Sequence, residues 1–321
     1  MIVHPSIAKL RGDRAAQHRA RSRMQAAVMQ WRNSAIATAL CGALKGYSSG
    51  ADLKDCNALF QTMNEVSAAR ILIDTWQKSF ASALEDEPLA EMPFRNRVQG
   101  SIATIQLLSQ DKATLSLCAI PRGETLSGQD TVVFSGRETR ELIVDGSATG
   151  TLHRLSDASD TAKLTNSDAV WQAGDAIQSS PTSGRSILHV EQSLLILQVS
   201  RAPNCPQAAR EFSVRDGRHS RSASGDEWVS RKFMALGVLG ALRRNSATNE
   251  MAHVALDASL DRDLRWEAVR QLLALDAGSG MRLLGELRTK NHDPLGEPAA
   301  NLAAQLVANH PQLAQFLKEA A

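Results

Sequence analysis

The chain has 321 residues, of which 43% are hydrophobic and 22% charged, with a formal charge of +2. Such a length suits about two to three domains with cores large enough to need no staples. Near-neutral charge and an aromatic share of 4% argue against a polyanion-binding footprint and against stacking platforms for single-stranded nucleic acid.

From about residue 9 to residue 87 the apolar pattern is helical. Met24, Val28 and Trp31 keep one spacing, and Ile36, Ala39, Leu40 and Leu44 another. After a Ser/Gly/Asp turn, Leu53, Cys56, Phe60 and Met63 predict a further helix. Ile71, Leu72, Trp76, Phe80 and Leu84 predict the next, and Pro88 ends it. Residues 1–93 are thus expected to form an N-terminal helical unit.

From Val98 the period shortens to that of strands. SIATIQLLS, ATLSLCAI, TVVFSG, RELIVDG, GTLHRLS, AKLTN, DAIQSS, RSILHV and SLLILQV alternate with Ser, Asp, Gly and Pro clusters. About ten short strands without an intervening helix predict a barrel or sandwich over residues 94–201. Residues 202–226, rich in Arg, Ser, Pro and Gly, read as a linker.

Helical spacing returns over 227–321. Five helices are expected, carried by Phe233 to Leu242, Met251 to Leu256, Trp266 to Leu273, Met281 to Leu287 and Leu302 to Val307. A 33-residue offset aligns Leu236 with Val269 and Leu302, and Gly240 with Leu273 and Leu306, as stacked helix pairs do. The fold class expected is α+β multidomain: N-terminal helices, a central antiparallel β-barrel and a C-terminal α-helical repeat.

Cys41, Cys56, Cys118 and Cys205 form no C-x-x-C pair and match no zinc spacing, so they read as thiols in a reducing cytosol. MIVHPSIAKLRGDR lacks an apolar signal region, and runs such as Ala35 to Leu44 are too short to span a bilayer. A cytoplasmic protein without a membrane span is expected.

Two phrases carry family resemblances. LDRDLRWEAVRQLLALD, at 260–276, resembles a HEAT-type or armadillo-like helical repeat, which implies a surface that contacts a protein partner. WQAGDAIQSSPTSGRSILHVEQSLLILQVSR, at 171–201, resembles a cupin-type double-stranded β-helix with its Gly-Asp turn. Metal-binding cupins carry His-x-His, a Glu and a third His; here His153 has no second histidine two residues away. The family's metal site is therefore not carried over, and neither metal nor other cofactor is expected.

His153 and His189 could nevertheless complete a facial metal set with Asp157 or Glu191, the chemistry of a metal-dependent oxygenase or isomerase. The plainer reading makes them ordinary strand histidines. With Trp171 they are the candidates to line a ligand site in the barrel, although Trp171, like Trp76, Trp228 and Trp266, also reads as a core anchor.

Lys9, Arg11, Arg14, His18, Arg19, Arg21, Arg23 and Arg32 form a basic N-terminus, within which Arg14, Arg19, Arg21 and Arg23 are candidates for an anion or partner contact. Arg210, Arg215, Arg218, His219, Arg221, Arg231 and Lys232 form a second basic set. Nucleic-acid binding through the two sets is a disfavoured alternative. No G-x-S-x-G elbow, Walker loop or dinucleotide fingerprint occurs, and no catalytic residue is assigned. The expected function is non-enzymatic: a binding or regulatory protein with a ligand-binding or scaffolding β unit and a helical surface for a protein partner.

Overall fold

The computed structural model describes residues 7, 11–123, 130–157, 159, 162–205, 207–290 and 292–318; Lys9 of the basic N-terminal set lies outside them. The chain divides into two compact units, Met1–Ala223 and Ser224–Ala321.

In the first unit, α1 (Arg14–Arg32) starts where the Asp13 side chain accepts from the Ala16 N–H, and it buries Ala20, Met24, Ala27 and Trp31. Helix α2 (Ala35–Ser48) is capped by Ser34 and buries Leu40, Leu44 and Tyr47. Helices α3 (Asn57–Thr62) and α4 (Val66–Asp86) follow. Phe60 and Ile71, expected on buried stripes, are 42% and 59% exposed, because their neighbours Leu59, Leu72 and Ile73 take the inward positions.

The strands are longer than the turn signals predicted. β1 (Asn96–Gln99), β2 (Ile102–Gln110), β3 (Ala113–Ile120), β4 (Thr131–Phe134), β5 (Glu138–Leu155), β6 (Leu164–Gln172), β7 (Ala176–Ser179) and β8 (Ser183–Arg201) are followed by β9 (Ala209–Ser213) and β10 (His219–Ala223). β5 fuses two expected strands, and β8 fuses another two. Register shifts near Asp145, Ser147 and Thr149 absorb the irregular residues, so Gly146 at φ +89° acts within a bulge rather than a hairpin turn.

One antiparallel sheet runs β1-β2-β3-β8-β5-β6, with β7 also paired to β5; the other runs β10-β9-β4. Among the described residues neither sheet closes on itself, which differs from the expected barrel.

The stretch expected to be a linker is structured. β9 pairs with both β4 and β10, and Phe212 meets Phe134 edge-on at 5.7 Å in a small core with Val132, Leu155 and Ala162. Burial alternates along β9, with Arg210 and Phe212 inside, although only one of its five side chains is large and apolar. Helices α1 to α4 pack against the sheet. Trp31, Leu40, Leu72 and Phe80 share one core with Leu115, Leu117, Leu142, Leu197 and Val199.

In the second unit, α5 (Glu227–Ala241), α6 (Thr248–Leu256), α7 (Arg262–Leu275), α8 (Ala277–Thr289), α9 (Gly296–Asn309) and α10 (Ala314–Lys318) surround Leu236, Leu264, Val269, Leu272, Leu284 and Leu287. Asp226, Asp261 and Asp276 cap three of the helix starts. A buried ion pair ties this unit together: Arg265 donates to the Ala255 carbonyl at 2.9 Å and to Asp293 at 2.6 Å.

Candidate functional site

The two faces of the long sheet differ in chemistry. Leu115, Leu117, Leu197, Val199 and Leu142 point into the core shared with the N-terminal helices. The alternate residues form the opposite face, and the register lines them up in rows. Thr114, Ser200 and Thr139 make one row; Ser116, Gln198 and Glu141 the next; then Cys118, Ile196 and Ile143. Beyond these the face turns apolar with Ile120, Leu194, Val190, Ile187 and Trp171.

Glu141 is 7% exposed and receives two hydrogen bonds from Arg185, Nε to Oε2 at 2.5 Å and Nη2 to Oε1 at 2.7 Å. The bidentate fork cancels both charges inside the fold. Burial lowers the Arg185 pKa, but the charge and hydrogen bonds of Glu141 outweigh that and hold it above the ordinary arginine value. Burial also holds the nearby Cys118 thiol above its usual range, with Thr104 and Arg185 pulling the other way. A thiol kept protonated is a poor nucleophile and a poor metal ligand.

His153, on β5, is 1% exposed. Its Nδ1 lies 2.8 Å from Asn166 Oδ1 on β6 and its Nε2 lies 3.0 Å from Ser186 Oγ on β8. An amide oxygen only accepts, so Nδ1 donates to Asn166, and a neutral ring then accepts at Nε2 from the serine hydroxyl. Hydroxyl, imidazole and orienting acceptor therefore stand in the order of a nucleophile, a base and its support. Burial decides its role: Ser186 is 6% exposed, and the next residue on the histidine face, Leu155, belongs to the small aromatic core. An acyl group has no approach to that hydroxyl, and the relay acts as a polar strut across three strands. Sequence reading missed it because Asn166 and Ser186 lie 13 and 33 residues away; only the strand register reveals the set.

His189 is exposed and pairs with Thr149, four positions from His153 along β5. Four residues of strand span about 13 Å, too far for two ligands of one ion. Among the described residues no three His, Cys, Asp or Glu side chains converge as metal ligands do. The donor set of a metal-binding cupin does not fit these residues.

Trp171 sits in the apolar part of the face, opposite Ala148 and against Gly150, where an added Cβ would come within 2.5 Å of the indole. Trp228, expected in a core, is 64% exposed. On α1, Arg14, Arg19, Arg21 and Arg23 all point to solvent, and Arg23 pairs with Asp86 at 2.6 Å. In the second basic set Arg210 is buried, donating to the Ser159 and Pro181 carbonyls, and Arg221 pairs with Glu211.

No protein-family model matches the chain, and no curated protein matches it in sequence. The solved structures similar to part of it are cupin-fold proteins. One is a predicted oxalate decarboxylase from Thermotoga maritima, at 18% identity over 35% of this chain and 95% of that one, with a TM-score of 0.26. Another is an RmlC-like cupin from Shewanella frigidimarina, at 10% identity over 35% and 86%, with a TM-score of 0.25. A third is the Lactobacillus farciminis oxalate decarboxylase formate complex, at 12% identity over 35% and 32%, with a TM-score of 0.26. The chain thus spans about a third of that last protein's length.

Proposed function

We propose that the chain acts by binding rather than by catalysis. In this reading a cupin-like β unit serves as ligand-bearing element or scaffold, and a HEAT-like helical unit contacts a protein partner. The observation that carries it is on α5 and its C-cap residue Leu242. Trp228, Met234, Val238 and Leu242 are 64%, 64%, 56% and 64% exposed, and the last three recur every four residues on one face.

Cations border this face. Lys232 lies 6.0 Å from the Trp228 ring, and among the described residues Arg243 and Arg244 have no ion-pair partner. An acidic protein surface complements such a border, whereas pairing with a second copy would bring like charges together.

Affinity capture with the full chain and a Val238→Asp variant, run side by side, tests the reading. A captured protein, once purified, is expected to bind the wild type and to lose about tenfold or more in affinity for the variant. Equal binding to both chains would overturn the assignment.

A further inference from the structure

A cavity lies away from the polar face of the sheet. It is a cleft of about 370 Å³ where the α2–α3 segment meets the ends of β5 and β8, lined among others by Tyr47, Lys54, Phe60, Glu138, Arg140 and Arg201. That volume is within the range of small-molecule sites.

Its charges cancel in pairs, with one left over. Arg201 stacks over the Tyr47 ring at 4.2 Å, donates to the Tyr47 and Ala51 carbonyls, and pairs with Glu138 at 2.6 Å. Lys54 pairs with Asp52 at 3.6 Å. Arg140 has neutral partners only: Nε donates to the Met63 carbonyl at 3.4 Å and Nη2 donates to Asn64 Oδ1. Among the described residues it has no carboxylate partner, and both Nη1 protons and one Nη2 proton are left unengaged.

Two further features face the same space. Tyr47 is 5% exposed, yet its hydroxyl has no hydrogen-bond partner among the described residues and is not sealed away as the Trp31 and Trp76 indole N–H groups are. Phe60 offers a ring 42% exposed. One uncompensated guanidinium, one phenol and an apolar wall describe a complementary ligand.

We propose that this cleft binds a small monocarboxylate with an apolar body, its carboxylate on Arg140 and Tyr47 and its body against Phe60. A guanidinium fork matches the planar carboxylate. A phosphate, carrying more charge, would meet Glu138 and Asp52 with one cation to offset it. The site is independent of the α5 contact and stands or falls apart from it.

Fluorine NMR of para-fluorobenzoate titrated with the full chain tests the proposal. Saturable binding is expected, weakened about tenfold or more in Arg140→Gln through loss of a charge-assisted contact. Phe60→Gln, at the exposed rim, should weaken binding without disturbing the fold, and it carries the test should Arg140→Gln fail to fold. Para-fluorobenzyl alcohol, the neutral counterpart, should not bind. Absence of saturable binding into the millimolar range, affinity unchanged in a folded Arg140→Gln or in Phe60→Gln, or equal binding of the alcohol would each overturn it. So would displacement of the probe by inorganic phosphate at equal concentration.

Discussion

Replacing Asp293 by alanine strands a guanidinium that is 1% exposed on its side chain. Breaking a buried ion pair in this way costs about 3 to 5 kcal/mol, so Asp293→Ala should lower the urea midpoint of the second unit by a corresponding amount. Burial pushes the Asp293 pKa up, but hydrogen bonds from Arg265 and the Leu295 N–H outweigh it and hold the carboxyl below its ordinary value. A depressed carboxyl stabilises above the unfolded pKa, and its contribution is lost as pH falls through the folded one. Unfolding free energy should therefore decline below about pH 4, and the decline should be shallower in Asp293→Asn. Ser186 makes the complementary case. If its hydroxyl is a strut, a fluorophosphonate leaves it unmodified in the native chain, and Ser186→Ala costs about 1 to 2 kcal/mol on chemical denaturation. Stoichiometric labelling would show an accessible nucleophile instead.

Among the elements, β5 and β8 show what the sequence disclosed and what it concealed. Their apolar runs announced strands correctly. Their Gly, Ser and Asp residues resemble hairpin turns, and only pairing across the sheet shows them absorbed as bulges in continuous strands. Gly150 beside one such bulge illustrates the constraint, since an added Cβ would lie 2.2 Å from the Ser186 carbonyl as well as against Trp171. Gly150→Ala should lose about 1 to 3 kcal/mol or more in a denaturant titration. β9 was concealed for the opposite reason: five residues with one large apolar side chain give no periodicity until Phe212 is seen against Phe134. Helices were more legible because their stripes run for several turns. Trp228 still defeated the pattern, since spacing marks a face without saying what covers it. On α5, Val238→Asp should leave the thermal midpoint nearly unchanged, as exposed substitutions do, and act on partner binding alone.

Over the whole molecule, the change from helical to strand to helical spacing was readable, while the grouping of the parts was not. Side chains of α1 to α4 and of the sheet bury one another, a fact that resides in long-range contacts rather than in local pattern. The polar face of the sheet was equally hidden, because Glu141 and Arg185 stand opposite Gln198 and Leu152 in the strand ladder and meet only in the folded sheet. His153, singled out from the sequence, is the one buried histidine among the described residues, and its ring is engaged on both sides by neighbouring strands. His153 so held has no ring nitrogen left to offer an ion. The metal content of the full chain, purified without chelator beside a His153→Gln variant, tests it most directly. Neither protein should carry stoichiometric iron, manganese or zinc, and the variant should differ in stability alone. One equivalent of metal per chain, lost in His153→Gln, would contradict it.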